Sequence, residues 1–284
     1  MKPFRWNLAK REQLGGLLSG DINFVYSDYE IELEDCTAKV LARSKNRKII
    51  FVGRSPENIY DYLAGILQNT KHENRMDLLN ISNRFRDVRE IRNEIPQSYD
   101  ALKQHFQELE ISPQQLISSS VGICFSDLVA SGGTFEQLFI FLKTWAIEDG
   151  LDFKSVAKKI GYIGITQRQK NSPNTWRWNQ RLDWVKDYRE MYIKNVSVPE
   201  SLWNYLGNQQ HKVTKGNVPE NWGRDEILLP SREENNLQAL RQAYQIYQLG
   251  LSRRSQMAAR LAVCPEFREP WLRTLSTELK FSKD

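Results

Sequence analysis

A single carboxylate and a run of small residues follow an apolar segment near the middle of the chain. Asp127 ends that segment, and Ser131, Gly132, Gly133 and Thr134 directly precede an apolar segment with helical spacing. This order predicts a strand, a loop and a helix, with the loop at the carboxyl end of the strand, where open α/β sheets bind ligands. The loop is a candidate phosphate site, because a helix N-terminus attracts anions through its unpaired N–H groups and its dipole. A plain capped turn has the same residues and stays the alternative.

A second loop of the same kind follows the first segment that is typical of a strand. Residues 48–53 form a β-branched run, and Gly53, Arg54 and Ser55 come at its end. Ser55 is the predicted N-cap of a helix whose first residue is Pro56. Arg54 could donate charged hydrogen bonds to phosphate oxygens, although a solvated arginine beside a capped helix fits the same pattern.

The stretch around Asp127 resembles the phosphoribosyl pyrophosphate signature of type I phosphoribosyltransferases. In that family an apolar strand leads into two acidic residues, two apolar residues and a glycine loop rich in small residues and threonine. The resemblance implies that Asp127 binds the ribose hydroxyls. It also implies a 5′-phosphate loop that consists of Ala130, Ser131, Gly132, Gly133 and Thr134.

The sequence departs from the family pattern at two positions. Ser126 stands at the first acidic position, so one of the two carboxylates on the metal and ribose side of the site is replaced by a hydroxyl. Ala130 stands where some purine-specific members carry an aspartate near the base. Because of the second departure, a role in purine salvage is not supported.

The same resemblance implies roles for two further segments and a cofactor. The loop formed by Gly53, Arg54 and Ser55 would hold the pyrophosphate group, and Mg²⁺ is the implied cofactor. Family members also carry a mobile basic loop after a later strand, and Arg84 and Arg86 are the candidates for it in this chain. A solvated helical face with Arg–Glu pairs is the alternative for that arginine-rich stretch.

These features favour a phosphoribosyltransferase-like protein that binds phosphoribosyl pyrophosphate, or another ligand containing ribose 5-phosphate. If it is active, it transfers the phosphoribosyl group to an acceptor that the sequence does not identify. One alternative is a non-catalytic member of the fold that binds a phosphorylated metabolite or a partner, which Ser126 favours. Function is decided by such sites and not by the fold.

Another alternative is a nucleic-acid-binding or protein-interaction role for the basic C-terminal region. Trp176, Trp178 and Trp184 lie there among basic residues, and tryptophan with arginine can stack on bases or enter a partner's pocket. Tryptophans at this spacing also fill cores and domain seams, which is the competing interpretation.

Strands that alternate with helices predict an α/β fold with a mostly parallel sheet. The resemblance makes it a sheet of the phosphoribosyltransferase type, flanked by helices. Besides the segment that ends at Asp127, the predicted strands are residues 48–53, 76–82 and 160–166. The predicted helices include residues 4–18, 235–249 and 252–263, and Gly250 is the expected break between the last two. The predicted domains are an N-terminal helical segment (1–47), an α/β core (48–167) and a mainly helical, basic, tryptophan-rich C-terminal region (168–284).

Charge is unevenly distributed over the 284 residues, whose formal net charge is +5. Residues 1–150 hold 18 Lys and Arg against 21 Asp and Glu, whereas residues 151–284 hold 22 against 14. The asymmetry fits an anionic partner such as nucleic acid, and it also fits an ordinary solvated face.

Three widely spaced cysteines give neither a disulfide framework nor a metal motif, and they suit a reducing compartment. The N-terminal stretch lacks an apolar signal core. No run of about 18 apolar residues occurs, so we expect no membrane span. We therefore expect a cytoplasmic protein that does not associate with membranes.

Overall fold

The computed structural model describes residues 2–22, 25–82, 87–168 and 177–281. Its central sheet has five strands that all pair in parallel, in the order β2-β1-β3-β4-β5. The predicted α/β class with a mostly parallel sheet is confirmed, whereas its assignment to the phosphoribosyltransferase type stays a prediction. The strands are β1 (Lys48–Val52), β2 (Met76–Leu79), β3 (Ile123–Leu128), β4 (Ile160–Gln167) and β5 (Tyr192–Val198).

Helices cover both faces of this sheet. No helix within the described ranges is both long and apolar enough to cross a bilayer. The helix bounds in those ranges are α1 (Arg11–Leu14), α2 (Tyr29–Arg43), α3 (Glu57–Leu67), α4 (Val88–Glu94), α5 (Pro96–Glu108), α6 (Pro113–Ser118), α7 (Gly133–Glu148), α8 (Phe153–Ala157), α9 (Asp183–Asp187), α10 (Glu200–Asn204), α11 (Glu234–Ser252), α12 (Arg254–Ala262) and α13 (Pro270–Phe281).

The fifth strand comes from the C-terminal region that the sequence predicts to be mainly helical. β5 pairs with β4 along its whole length, from Tyr192 opposite Gly161 to Val198 opposite Gln167. It is an edge strand in which Lys194 and Ser197 are exposed and the other positions are partly buried or buried. Such a half-polar pattern predicts a strand less clearly than a continuous apolar run does. A run of that kind is typical of a strand that is buried on both faces, such as β1.

One face of the sheet is covered by α4 to α8. Trp178 and Trp184 belong to this core, because only 4% and 7% of their surfaces are exposed. Trp178 packs against Phe135 with ring centroids 5.2 Å apart, and Trp184 stacks on Phe139 at 4.6 Å. The core interpretation of these tryptophans is confirmed, while Trp176 lies outside the described residues.

The other face is covered by helices from both ends of the chain. Leu33 of α2 and Tyr62 of α3 share one apolar cluster with Met257 of α12 and Leu275 of α13, and all are fully buried. Phe51 of β1 lies in the same cluster. The N-terminal and C-terminal regions are therefore joined to the sheet through a common core.

Two glycines bring α3 and α11 into backbone contact. A Cβ atom on Gly65 of α3 would overlap the carbonyl oxygen of Tyr247, and a Cβ atom on Gly250 of α11 would overlap that of Tyr62. The sequence-based expectation that Gly250 ends a helix is wrong, because α11 continues through it to Ser252. The helix predicted over residues 4–18 is also reduced to α1 and a 3₁₀ turn over Gly15–Leu18.

The Gly250→Ala variant should be destabilised by about 1–3 kcal/mol, since the added methyl group must push the two helices apart. In an unobstructed helix the same change stabilises by about 0.5–1 kcal/mol. Denaturant unfolding measures the difference. Gly16→Ala is the matched control, because a Cβ atom there meets nothing within 4 Å. A Gly250→Ala protein more stable than wild type would contradict the close contact.

Candidate functional site

The strand order places both predicted loops at one crevice. β1 lies between β2 and β3 in the sheet. The chain therefore forms β2 on one side of β1 and then crosses over to form β3 on the other side. Ligands bind at such a switch point, outside the carboxyl ends of the two strands. Gly53 follows β1 and Asp127 lies at the end of β3, and the two strands are paired up to Phe51 opposite Ser126. The structure therefore brings the two loops together.

The loop after β3 is built as a glycine turn into a long helix. Gly132 is the N-cap of α7 and has a φ of 94°, which L residues rarely adopt. A Cβ atom on Gly132 would lie 2.7 Å from Trp178 and 2.9 Å from Leu182, so space as well as backbone geometry requires glycine. Ser131 and Gly133 are exposed. The first turn of α7 thus presents its N-terminal N–H groups beside an accessible loop.

Asp127 is the carboxyl group of this site, and it is 8% exposed. Its Oδ1 accepts a hydrogen bond of 2.7 Å from the backbone N–H of Leu128, and Thr134 also bonds to it. Burial raises the pKa of Asp127 to about 8, against the opposing effects of these bonds and of the Lys212 charge. At neutral pH the side chain is mostly a protonated acid, able to donate as well as accept hydrogen bonds.

Ser126 does not supply a second polar group to the site. Successive side chains of a strand point to opposite faces, so Ser126 and Asp127 diverge. The Ser126 side chain is fully buried, and its hydroxyl has no hydrogen-bond partner within the described part of the chain. The departure from the family pattern therefore removes a carboxylate without replacing it by another ligand group.

The loop after β1 is tied to the neighbouring strand. Gly53 has a φ of 72°, and its N–H donates to Leu79 O at 2.9 Å. Helix α3 begins at Glu57 with Pro56 as its N-cap, so the prediction of Ser55 as the N-cap is wrong by one residue. The Arg54 guanidinium contacts the carbonyl oxygen of Thr214 at 3.4 Å. Arg54 therefore meets a segment from the C-terminal region.

That segment covers the crevice, and we call residues 205–217 the cover segment. Its Lys212 is partly buried, donates a hydrogen bond of 2.6 Å to Leu206 O, and interacts electrostatically with Glu57, Arg54 and Asp127. Burial lowers the pKa of Lys212 to about 8. Lys212 is thus a cation between the two loops that sequence reasoning missed, since no motif surrounds it.

Glu57, at the start of α3, fixes the cover segment. Its carboxylate accepts hydrogen bonds from the N–H groups of Val213 at 2.8 Å and Thr214 at 3.4 Å, and from the Thr214 hydroxyl. Next to it, Gln210 donates to Asn58 Oδ1 at 2.8 Å. Because all these bonds are buried, the position of Lys212 is set by α3.

The cover segment is also bound to the end of β2. Asn217 donates a side-chain hydrogen bond of 2.7 Å to Asn80 O, and Ser82 N–H donates to Asn217 O at 2.8 Å. Arg84 and Arg86, the candidates for a mobile basic loop, follow directly and lie outside the described residues. Their assignment stays a prediction.

The residues at the crevice do not form a protein-held Mg²⁺ site. Mg²⁺ requires oxygen ligands in octahedral geometry, usually carboxylates together with substrate phosphates. Asp127 offers one carboxyl group, whose Oδ1 already accepts a hydrogen bond from Leu128 N–H, and the Ser126 side chain is fully buried. Among the residues that the structure describes, no group of three His, Cys, Asp or Glu side chains could hold a metal ion.

No family model, no curated protein and no solved structure matches the chain. The phosphoribosyltransferase resemblance therefore rests on the residues of the two loops and on their placement at the switch point.

An Asp127→Asn variant tests the raised pKa. The pKa of Asp127 is higher in the folded protein than in the unfolded chain. Between these two pKa values, from about pH 4 to about pH 8, the Asp127 side chain is protonated in the folded protein and ionised in the unfolded chain. The free energy of unfolding therefore decreases as the pH rises through this range. The variant should therefore gain stability relative to wild type over that range, by up to about 1.4 kcal/mol per pH unit. Urea unfolding of both proteins at several pH values gives the difference.

Asp152→Asn is the control for that series. Asp152 is an exposed N-cap whose pKa is lowered by its hydrogen bonds to Ser155 and Lys154, and asparagine caps equally well. Its stability difference from wild type should stay flat above about pH 5. A flat profile for Asp127→Asn as well would show that Asp127 has an ordinary pKa.

Proposed function

We propose that this protein binds phosphoribosyl pyrophosphate, or a related ligand containing ribose 5-phosphate, across the crevice between β1 and β3. The observation that carries the proposal is the placement of two phosphate-type loops at the switch point of a parallel sheet, with Arg54 and Lys212 beside them. Crevices at this position bind ligands in open α/β sheets.

Each part of the ligand has a matching group. The 5′-phosphate would lie at the loop of residues 130–134, where the N-terminal N–H groups of α7 are donors and the Thr134 hydroxyl would turn from Asp127 to the phosphate. The pyrophosphate would lie toward Gly53, Arg54 and Ser55, where Arg54 and Lys212 supply positive charge. Asp127, near Thr134, would bond to the ribose hydroxyls.

The cations of the site favour a highly charged ligand. Partial burial lowers the pKa of Lys212. A bound phosphate would raise that pKa again, and the attraction between the phosphate and the charged lysine would strengthen binding. The Mg²⁺ implied by the resemblance would be held mainly by the phosphate oxygens of the ligand, since the residues that the structure describes offer no set of carboxylates for it.

A transfer reaction at this site would depend on positioning. It would break the bond between the anomeric carbon and the pyrophosphate oxygen, release pyrophosphate and form a bond from that carbon to the acceptor. Asp127 in its protonated form orients the ribose without supplying a negative charge to the carbon. The two phosphate loops would then hold the reacting groups in place.

A non-catalytic binding role is the second candidate, and two observations favour it. Ser126 points away from the crevice, and Asp127 is mostly neutral at pH 7. The measurement that separates the two roles is pyrophosphate release from phosphoribosyl pyrophosphate with water as the acceptor of the phosphoribosyl group, above the rate in the absence of protein. A pure binding protein releases none.

The Thr134→Val variant tests the 5′-phosphate loop. Loss of one hydrogen bond to a charged phosphate should weaken ribose 5-phosphate binding by about tenfold or more. Thr144→Val makes the same change further along α7 and should leave the affinity unchanged. Isothermal titration calorimetry with ribose 5-phosphate compares the two variants. Equal affinities for both variants would exclude the proposed phosphate position.

An Arg54→Gln variant tests the pyrophosphate side independently. It should weaken binding of pyrophosphate and phosphoribosyl pyrophosphate by about tenfold, because a charge-assisted bond is lost, and leave ribose 5-phosphate binding unchanged. Each titration is run with and without Mg²⁺. The proposal would be refuted if the wild-type protein bound none of the three compounds in either condition.

A further inference from the structure

Three cations converge on one tyrosine ring at the amino ends of the strands. Tyr192 is the first residue of β5, and Lys45 Nζ lies 4.9 Å from its ring centroid. The Arg47 guanidinium carbon lies at 5.3 Å and Lys194 Nζ at 5.7 Å. We call these four residues the amino-edge cluster. It lies at the opposite edge of the sheet from the crevice, because all five strands run parallel.

The turn between α2 and β1 builds this cluster. Lys45 and Asn46 have positive φ values of 50° and 61°, so the chain turns sharply after α2. Arg47 then reaches across the sheet and contacts the carbonyl oxygen of Lys159, just before β4, at 3.4 Å. The backbone of the turn therefore fixes the positions of the Cα atoms of Lys45 and Arg47, and the Tyr192 ring attracts the charged ends of their side chains.

No carboxylate of the described residues forms an ion pair with Lys45, Arg47 or Lys194, whereas neighbouring cations are paired. Arg43 lies 3.7 Å from Glu266, and Lys48 lies 3.6 Å from Asp77. Glu266 and Asp77 are thus already paired with other cations. Three positive charges around one ring repel each other, and an approaching anion relieves that repulsion.

The C-terminus of α2 accounts for only a small part of this charge. A helix C-terminus carries about half a negative charge and stabilises cations in its last turn. Arg43 occupies that last turn. Most of the charge of Lys45, Arg47 and Lys194 therefore remains available to a partner.

We propose that the amino-edge cluster binds the phosphate backbone of a nucleic-acid strand. Long lysine and arginine side chains around one point suit a chain of phosphates, whose binding releases counterions. The cluster offers three charges and one ring and not the wide apolar face of a segment that enters a bilayer, which favours nucleic acid over a lipid surface.

The experiment measures how binding depends on salt. A fluorescent single-stranded DNA of about 20 nucleotides is titrated with the full chain at several salt concentrations. Three phosphate contacts predict a slope of about −2 for the logarithm of the association constant against the logarithm of salt concentration. In the double variant Lys45→Gln/Lys194→Gln, the slope should fall to about −0.7, with an affinity loss of tenfold or more at low salt.

Lys10→Gln/Lys280→Gln is the matched control, since it removes two exposed lysines on other parts of the chain and changes the net charge equally. It should keep the wild-type slope. Equal slopes in the two double variants would overturn the proposal, because binding would then follow net charge alone. Absence of wild-type binding at low salt would also overturn it. The same proteins are tested for binding to vesicles that contain phosphatidylserine, and a Lys45→Gln/Lys194→Gln protein that loses vesicle binding but keeps DNA binding would overturn it too.

Discussion

A buried network of charges around Glu57 holds three distant parts of the chain together. Arg5, near the N-terminus, lies 3.5 Å from Glu57 and 2.5 Å from Asp61, and both carboxylates are fully buried. Burial alone would lower the pKa of Arg5, but the charges of Asp61 and Glu57 raise it above its usual value. Breaking such a pair leaves an uncompensated charge and costs about 3–5 kcal/mol. The cover segment is attached to the same carboxylate.

The geometry of the crevice therefore depends on both ends of the chain. Glu57 begins α3, directly after the loop of Gly53, Arg54 and Ser55, and it positions Lys212 through the neighbouring Val213. The order of the strands is enough to form the crevice. The positive charge of the crevice, however, comes largely from Arg54 and Lys212, which lie outside the strands. The site is a product of the whole fold.

The sequence predicts the parts of this structure that depend on local pattern. Apolar runs identify β1 and β3, and the order of small residues after Asp127 identifies the turn into α7. β5 escapes prediction because its half-polar pattern is typical of an edge. Lys212 escapes because its role depends on contacts with residues far away in the chain. Gly250 misleads because its missing side chain serves close helix packing. The raised pKa of Asp127 depends on burial, which a sequence does not specify.

The position of the cover segment late in the chain has a consequence for synthesis. Domains form as the chain leaves the ribosome from its N-terminus. The two loops of the crevice are complete by Thr134, whereas the segment that closes over them, and helices α11 to α13, follow much later. Until then one apolar face of the sheet lacks part of its cover. The nascent protein thus passes through a stage in which the crevice is open and an apolar surface is exposed to solvent.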